Sequence, residues 1–198
     1  MKNLWQFCGP NNCIKSMKNY LFILLAFGLF ASCKKDEVEP TDDNELITRV
    51  DLTFIDPANK AVTFSFQDKD GDPKTAPEKF DKIVLTKGVT YKMRVGIYDD
   101  TKTPVSDITK EIEEEADVHL FVFKSTPAGL LTTTITDKDK NNLPVGLAST
   151  VAASSSAGTG KFNVILKHQP LVNGAKVKTG QEQVGSTDVD LLFDVEVK

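Results

Sequence analysis

The chain has 198 residues and a formal net charge of −4, from 28 acidic and 24 basic side chains. This length suggests one domain, at most two, and the acidic balance argues against nucleic acid or anionic lipid headgroups as ligands. Its three cysteines, Cys8, Cys13 and Cys33, all lie in the N-terminal part. The chain beyond Cys33 therefore cannot form disulfides or cysteine metal sites.

The N-terminal residues predict an export signal. A lysine stands within residues 17–19, an apolar run of 11 residues follows over 20–30, and Ala-Ser-Cys ends it at 31–33. The run is too short for a bilayer span, which needs about 20 residues, and fits a signal peptide. The ending resembles a lipobox, so we expect cleavage after residue 32, acyl chains on Cys33 and translation starting at Met17. Ordinary secretion with a chance cysteine is the alternative.

The residues after Cys33 predict a localisation signal and a disordered tether. Lys-Lys-Asp-Glu at 34–37 resembles the surface-export signal of Bacteroidota-type lipoproteins. It predicts a lipid anchor in the outer membrane with the domain on the extracellular face, and the periplasmic face is the alternative. Residues 34–44 are charged and poor in apolar side chains, which favours a disordered tether. The folded domain is then expected over 45–198.

The domain alternates apolar and polar residues almost throughout, which is typical of half-buried strands. Turn residues such as Asp-Gly and Asn-Gly separate the alternating segments. We predict an all-β fold, an antiparallel immunoglobulin-like β-sandwich of seven to nine strands, with a small barrel as the alternative. The predicted strands span 46–54, 61–66, 82–85, 90–98, 118–123, 130–136, 161–168 and 189–197.

Two segments depart from that alternation. Residues 106–116 place Ile108, Ile112 and Ala116 four apart, which predicts a short helix with Ser106 or Asp107 as N-cap. Its acidic residues 111–115 form either a solvated face or a docking surface for a basic partner. Residues 148–160 are small and rich in Ser, Ala and Gly, and we expect a mobile loop there.

The sequence argues against an enzyme. It has no Gly-x-Ser-x-Gly motif, no phosphate-binding loop and no dinucleotide fingerprint. Two histidines are also too few for most hydrolytic metal sites that combine histidine pairs with a base.

The two histidines are the best candidates for a binding site. Alternation places His119 and His168 on the core-facing side of their strands, each at a strand end, and Glu115 lies four residues before His119. Imidazole with carboxylate suits Zn²⁺ or Cu²⁺. A shared site requires the two strand ends to be neighbours. The alternative is that each histidine is bonded to backbone at the rim.

A weaker candidate is the turn that carries Asp68, Asp70 and Asp72. Alternate carboxylates with a glycine resemble calcium loops, but Gly71 stands at the fourth position instead of the sixth, and Lys79 occupies the twelfth. The residues at 137–141 have a similar spacing without the glycine. Simple turns, which favour Asp, Asn and Gly, are the alternative for both.

Several motifs together resemble a family of small Bacteroidota-type lipoproteins labelled "type 1 periplasmic binding fold superfamily protein". The matching motifs are Glu-Leu-Ile-Thr at 45–48, the acidic turn at 67–72, the segment 107–119 with its histidine, and Leu-Lys-His-Gln-Pro at 166–170. Members are often encoded near TonB-dependent receptors, so the resemblance implies a partner in nutrient or metal uptake. The β-rich pattern conflicts with the α/β fold that the label names.

These features predict a lipoprotein that binds a ligand, with Zn²⁺ or Cu²⁺ the candidate metals, for a TonB-dependent receptor. The alternative is a structural or adhesive β-sandwich that binds a sugar or protein without metal. Trp5, the single tryptophan, lies in the leader and cannot provide a sugar-stacking platform.

Overall fold

The computed structural model describes residues 46–71 and 74–198. The predicted signal peptide, Cys33, the tether and Asp72 lie outside these residues. One short helix, α1, spans Thr109–Glu114. The strands are β1 Arg49–Ile55, β2 Ala61–Gln67, β3 Lys79–Phe80, β4 Ile83–Leu85, β5 Thr90–Asp99, β6 Ser106–Asp107, β7 His119–Thr126, β8 Leu131–Ile135, β9 Ala148–Ala153, β10 Gly158–His168 and β11 Ser186–Val197.

The strands form two sheets. The seven-stranded sheet runs β3-β2-β1-β5-β9-β8, with β6 paired to β5, and the four-stranded sheet runs β4-β11-β10-β7. All pairs are antiparallel except β4 with β11, which is parallel. The predicted all-β sandwich is confirmed, with eleven described strands where seven to nine were expected.

The core lies between the inner faces of the sheets. In β1 the buried residues are Val50, Leu52 and Phe54, and in β10 they start at Phe162 and recur at every second position. Alternation arises because successive side chains of a strand point to opposite faces. Burying each such side chain contributes about 1.5–3 kcal/mol to the stability of the fold. A shift in strand register would expose these side chains, so their burial fixes the register and with it the positions of both histidines.

The predicted mobile loop at 148–160 is wrong over most of its length. Residues 148–153 form β9, a strand paired on both sides, with β5 and with β8. Ser149, Val151 and Ala153 are buried along it. Small side chains suit a position this close to the core, and their low hydrophobicity hid the alternation from the sequence pattern. The two-residue strands β3 and β6 were also not predicted.

The helix is confirmed in type but is shorter than predicted. Ser106 and Asp107 belong to β6 and pair with β5, so the predicted N-cap is wrong. Ile108 occupies the N-cap without a side-chain hydrogen bond. Ile108 and Ile112 are buried as expected. In the part of the chain that the structure describes, no helix is long and apolar enough to cross a membrane.

Candidate metal centre

The two histidines are direct neighbours across two strands. His119 begins β7, His168 ends β10, and they are opposite each other in the antiparallel register. Their rings stack with centroids 4.9 Å apart and an angle of 11° between the planes. The core-facing alternation predicted the face that each occupies. The structure supplies the spatial proximity that a shared metal site requires.

A third candidate ligand lies on the next strand of the same sheet. The β10–β11 register shifts between Leu166, which pairs with Val189, and Lys167, which pairs with Thr187, so Asp188 is an extra residue in a bulge. A bulge re-aims side chains that strict alternation would send to the other face. The ligand atoms of His119, His168 and Asp188 all lie within 4.8 Å of one another.

Asp188 was not predicted as a site residue. Its position is opposite in parity to the core-facing residues Val189 and Phe193. Alternation alone therefore places it on the outer face. No glycine at 188 marks the bulge in the sequence, and only the pairing with β10 reveals it.

Glu115 contributes to the centre through its backbone. The carbonyl oxygen of Glu115 lies 3.1 Å from Nδ1 of His119. A carbonyl can only accept, so Nδ1 carries the hydrogen and Nε2 presents its lone pair. The sequence predicted the Glu115 carboxylate as the third ligand. In the structure the carboxylate that lies beside the two histidines is that of Asp188. A backbone carbonyl that orients a histidine is a common outer partner of metal ligands.

The electrostatics of the centre favour a neutral imidazole. Burial lowers the pKa of His119 and outweighs the hydrogen bond to the Glu115 carbonyl, which raises it, while the neighbouring His168 lowers it and the charges of Asp188 and Glu115 raise it to a smaller extent. The His119 side chain is buried at the core edge, whereas His168 and Asp188 are half-buried. A metal ion would thus meet an unprotonated histidine on its inner side and stay accessible on its outer side.

The segment 169–185 connects His168 to β11 and folds back on the centre. The backbone N–H of Gln169 donates to the Val118 carbonyl at 2.6 Å. The fully buried Gln169 side chain donates through Nε2 to the carbonyls of Gln181 and Val184, at 2.7 and 2.9 Å. A Cβ on Gly185 would lie 2.1 Å from the His168 carbonyl. This packing fixes the position of His168 at the strand end.

A buried ion pair anchors the same segment. Lys178 Nζ lies 3.0 Å from Asp139 Oδ2, with the side chains 1% and 0% exposed. Nζ also donates to the Ala116 carbonyl at 2.7 Å, close to the chain that leads into His119. Burial alone would raise the pKa of Asp139, but the Leu143 N–H and Lys178 lower it. The carboxylate is therefore ionised and holds Lys178 in place.

The two acidic turns bond differently. Asp68 Oδ1 accepts from the Gly71 N–H at 2.9 Å, and Asp70 accepts from the Thr75 hydroxyl at 3.1 Å. These are bonds within one turn. Asp137 accepts three backbone N–H groups from residues 146–148, and Asp139 binds Lys178, so the turn at 137–141 joins separate segments of the chain. On the helix, Glu111 and residues 113–115 are exposed.

The donor set has a definite chemistry. Two imidazoles and a carboxylate are ligands that Zn²⁺ and Cu²⁺ accept. Three protein ligands leave at least one coordination position open, as in zinc sites that exchange their fourth ligand. Comparison with protein-family models, curated proteins and solved structures found no match.

Proposed function

We propose that this protein is a lipid-anchored binding module that takes up Zn²⁺ or Cu²⁺ at His119, His168 and Asp188. The observation that carries the proposal is the juxtaposition of three potential ligand atoms within 4.8 Å at the ends of three adjacent strands. Because burial keeps His119 unprotonated, the ion would not have to displace a proton from that ring at neutral pH.

The rigid surroundings of the centre favour binding over a chance cluster. Glu115 orients one ring, Gln169 holds the end of β10, and the bulge directs Asp188. Preorganised ligands bind metal more tightly because less conformational freedom is lost on binding. The half-buried side of the centre leaves a route by which an ion can enter and leave.

The anchor and the partner complete the proposal. The Ala-Ser-Cys ending supports acylation of Cys33, and the charged residues after it support display at the outer membrane. A module with an exchangeable metal at that surface would present the ion to a TonB-dependent receptor. The domain itself needs no catalytic machinery for this role.

Calorimetry with ZnCl₂ and CuCl₂ on the processed protein, purified from membranes in detergent and expected to lack Cys8 and Cys13, tests the proposal. We expect one ion per chain in wild type and no binding at this site in the double variant His119→Ala, His168→Ala. Asp188→Asn should weaken binding by at least roughly 10-fold, because mutating even the outer partners of metal ligands costs about 10–100-fold. Glu115→Ala is the matched control and should bind as wild type, because it keeps the backbone carbonyl. Unchanged affinity in the double variant would overturn the proposal.

A further inference from the structure

A second candidate site lies on the other sheet. The outer face of the seven-stranded sheet carries a groove of about 680 Å³, within the range of small-molecule sites. Its floor includes Asp51 of β1 and Arg94 and Tyr98 of β5, and α1 contributes Lys110 and Glu113 to its wall. The metal centre lies on the four-stranded sheet, so the groove is a separate feature.

The aromatic side chain in the groove is held rigidly. Tyr98 lies back against Gly96, where a Cβ would be 2.8 Å from the tyrosine hydroxyl. The Arg49 guanidinium lies 4.0 Å from the centre of the Tyr98 ring and is itself bound to Asp51 and Asp100 at 2.5 and 3.0 Å. Gly96 is needed here for space, because any side chain would push the ring into the groove. The floor is thus preorganised.

The carboxylates of the groove are neutralised yet still able to accept hydrogen bonds. Asp51 Oδ2 is paired with Arg49, and Asp107 Oδ2 lies 3.7 Å from Lys110 Nζ. Oδ1 of each aspartate has no hydrogen-bond partner among the described residues. Both Oδ1 atoms are covered by protein, so each aspartate would accept from a ligand through Oδ2, which keeps a lone pair beside the one that faces its basic partner. The groove therefore offers acceptors whose charge is already balanced.

The groove also carries hydrogen-bond donors. Arg94 is exposed on the floor, and Lys110 and Lys138 stand on the walls. Thr53 and Thr63 add hydroxyls that bond to each other at 2.9 Å. An anion would leave the carboxylates unmatched, and a cation would leave the basic side chains unmatched. Sugar hydroxyls both donate and accept, so a neutral polyhydroxylated ligand matches the whole set.

We infer that this groove binds a neutral oligosaccharide, with Asp51, Asp107 and Arg94 hydrogen-bonding to its hydroxyls. The inference does not depend on the metal centre or on the lipid anchor. Tyr98 lines the groove with the Arg49 guanidinium over its ring, so the inference rests on hydrogen bonding and not on an aromatic platform.

Calorimetry of the full-length chain in detergent with cellotetraose, maltotetraose, mannotetraose and chitotetraose tests the inference. At least one should bind, and Asp107→Ala and Arg94→Ala should each weaken that binding by roughly tenfold, as expected when a hydrogen bond to a charged group is lost. Lys92→Ala, an exposed position of β5 outside the groove lining, is the matched control and should bind as wild type. Circular dichroism checks that every variant is folded.

Two further comparisons separate this site from its alternatives. The fully deacetylated, cationic form of chitotetraose should bind more weakly than its neutral parent, and tighter binding would identify a cation site and overturn the inference. The variant His119→Ala, His168→Ala should bind saccharide as wild type, so loss of metal binding alone leaves the inference intact. Failure of all four neutral probes to bind, or unchanged affinity in both groove variants, would also overturn it.

Discussion

His119 combines two properties that rarely occur together, a position at the core edge and a free nitrogen aimed at other ligands. Its side chain is 8% exposed, next to the hydrophobic residues Leu120 and Phe121. Burial of the ring, and to a smaller extent the neighbouring His168, make its protonated form unfavourable. The same environment that makes the charged ring unfavourable makes the neutral ring a ready metal ligand.

The lowered pKa of His119 predicts a specific pH dependence of stability. Above the unfolded-state pKa of about 6.5 the ring is neutral in both states. As the pH falls below that value the unfolded chain binds a proton before the folded one does, so the free energy of unfolding decreases. Urea unfolding in EDTA between pH 7 and pH 5 should show this decrease, and His119→Asn should reduce it. If the free energy of unfolding decreased equally in His119→Asn, the pH dependence could not be assigned to His119.

The carboxylates with lowered pKa act in a different pH window. Asp100 is stabilised mainly by its hydrogen bond from Arg49, and Asp99 by that from Thr101. Their contribution is present above the unfolded pKa of about 3.9 and is lost as the pH falls below it. The histidine effect and the carboxylate effect are therefore separable in one titration.

The buried pair Lys178–Asp139 predicts a large loss on removal of one partner. Lys178→Met leaves an ionised carboxylate in a buried site and should lower the free energy of unfolding by about 3–5 kcal/mol. Asp139→Asn combined with Lys178→Met removes both charges and should recover part of that loss. Lys140→Met is the control, because this exposed lysine pairs with Asp117 and should change stability by less than about 1 kcal/mol. An equal loss of unfolding free energy in Lys178→Met and in Lys140→Met would contradict the prediction.

The candidate centre was partly predictable at the residue scale. The parity of β7 and β10 placed His119 and His168 on the core face, and the structure agrees. Asp188 could not be found in this way, because a single-residue bulge reverses the face of a side chain without a sequence marker. Lys178 was equally hidden, since a lysine in a polar segment is normally exposed.

At the scale of elements, α1 is hydrogen-bonded to the backbone of β5 through the side chain of Thr109. Thr109 Oγ1 accepts from the Ile97 N–H at 2.9 Å and donates to the Ile97 carbonyl at 3.2 Å. Ile97 lies between the part of β5 that pairs with β9 and the part that pairs with β6. The Thr109 side chain therefore supplies the hydrogen bonds that a neighbouring strand would make there. The helix therefore closes a gap in the hydrogen bonding of the sheet.

Removing that hydroxyl should destabilise the domain. Thr109→Val keeps the shape but leaves the Ile97 backbone groups without these partners, and we expect the free energy of unfolding to fall by about 1–3 kcal/mol. Thr109→Ser retains the hydroxyl and serves as the control. Urea unfolding of both variants measures the difference. A valine variant as stable as the serine variant would show that water replaces the hydroxyl.

Strands with large apolar residues were predicted well, and strands of small residues were not. β1, β5 and β10 bury Phe, Val, Ile and Leu at every second position, so their alternation is visible. β9 buries a serine, a valine and an alanine, and its sequence has the composition of a flexible loop. Its pairing with both β5 and β8 stabilises it through the sheet, which local sequence does not report.

At the scale of the whole molecule, the two candidate sites use different sheets. The candidate metal centre needs strand ends that meet, while the groove needs a broad outer face with a helix at its side. Neither site disturbs the apolar core between the sheets. The sandwich thus offers two separate positions for a ligand, one at the rim of the core between strand ends and one on the outer face of the other sheet.

The lipid anchor gives the last prediction, at the level of the protein in its cell. Cys33→Ser removes the thiol that would carry the acyl chains, so the variant should lose labelling by radioactive palmitate and leave the detergent phase in Triton X-114 partitioning. Two or more acyl chains hold a protein stably at a bilayer, whereas one holds it only marginally. If the domain is displayed on the surface, protease added to intact cells should degrade wild type.

The same variant also separates location from binding. The predicted ligands are all beyond residue 45, so purified Cys33→Ser should bind Zn²⁺ or Cu²⁺ with the affinity of wild type. Labelling of the variant by palmitate would place the acylation elsewhere and contradict the lipobox. Loss of metal affinity in the folded variant would instead indicate that an unmodified Cys33 thiolate, a strong ligand for both ions, binds the metal in wild type, and would contradict both the acylation and the proposed ligand set.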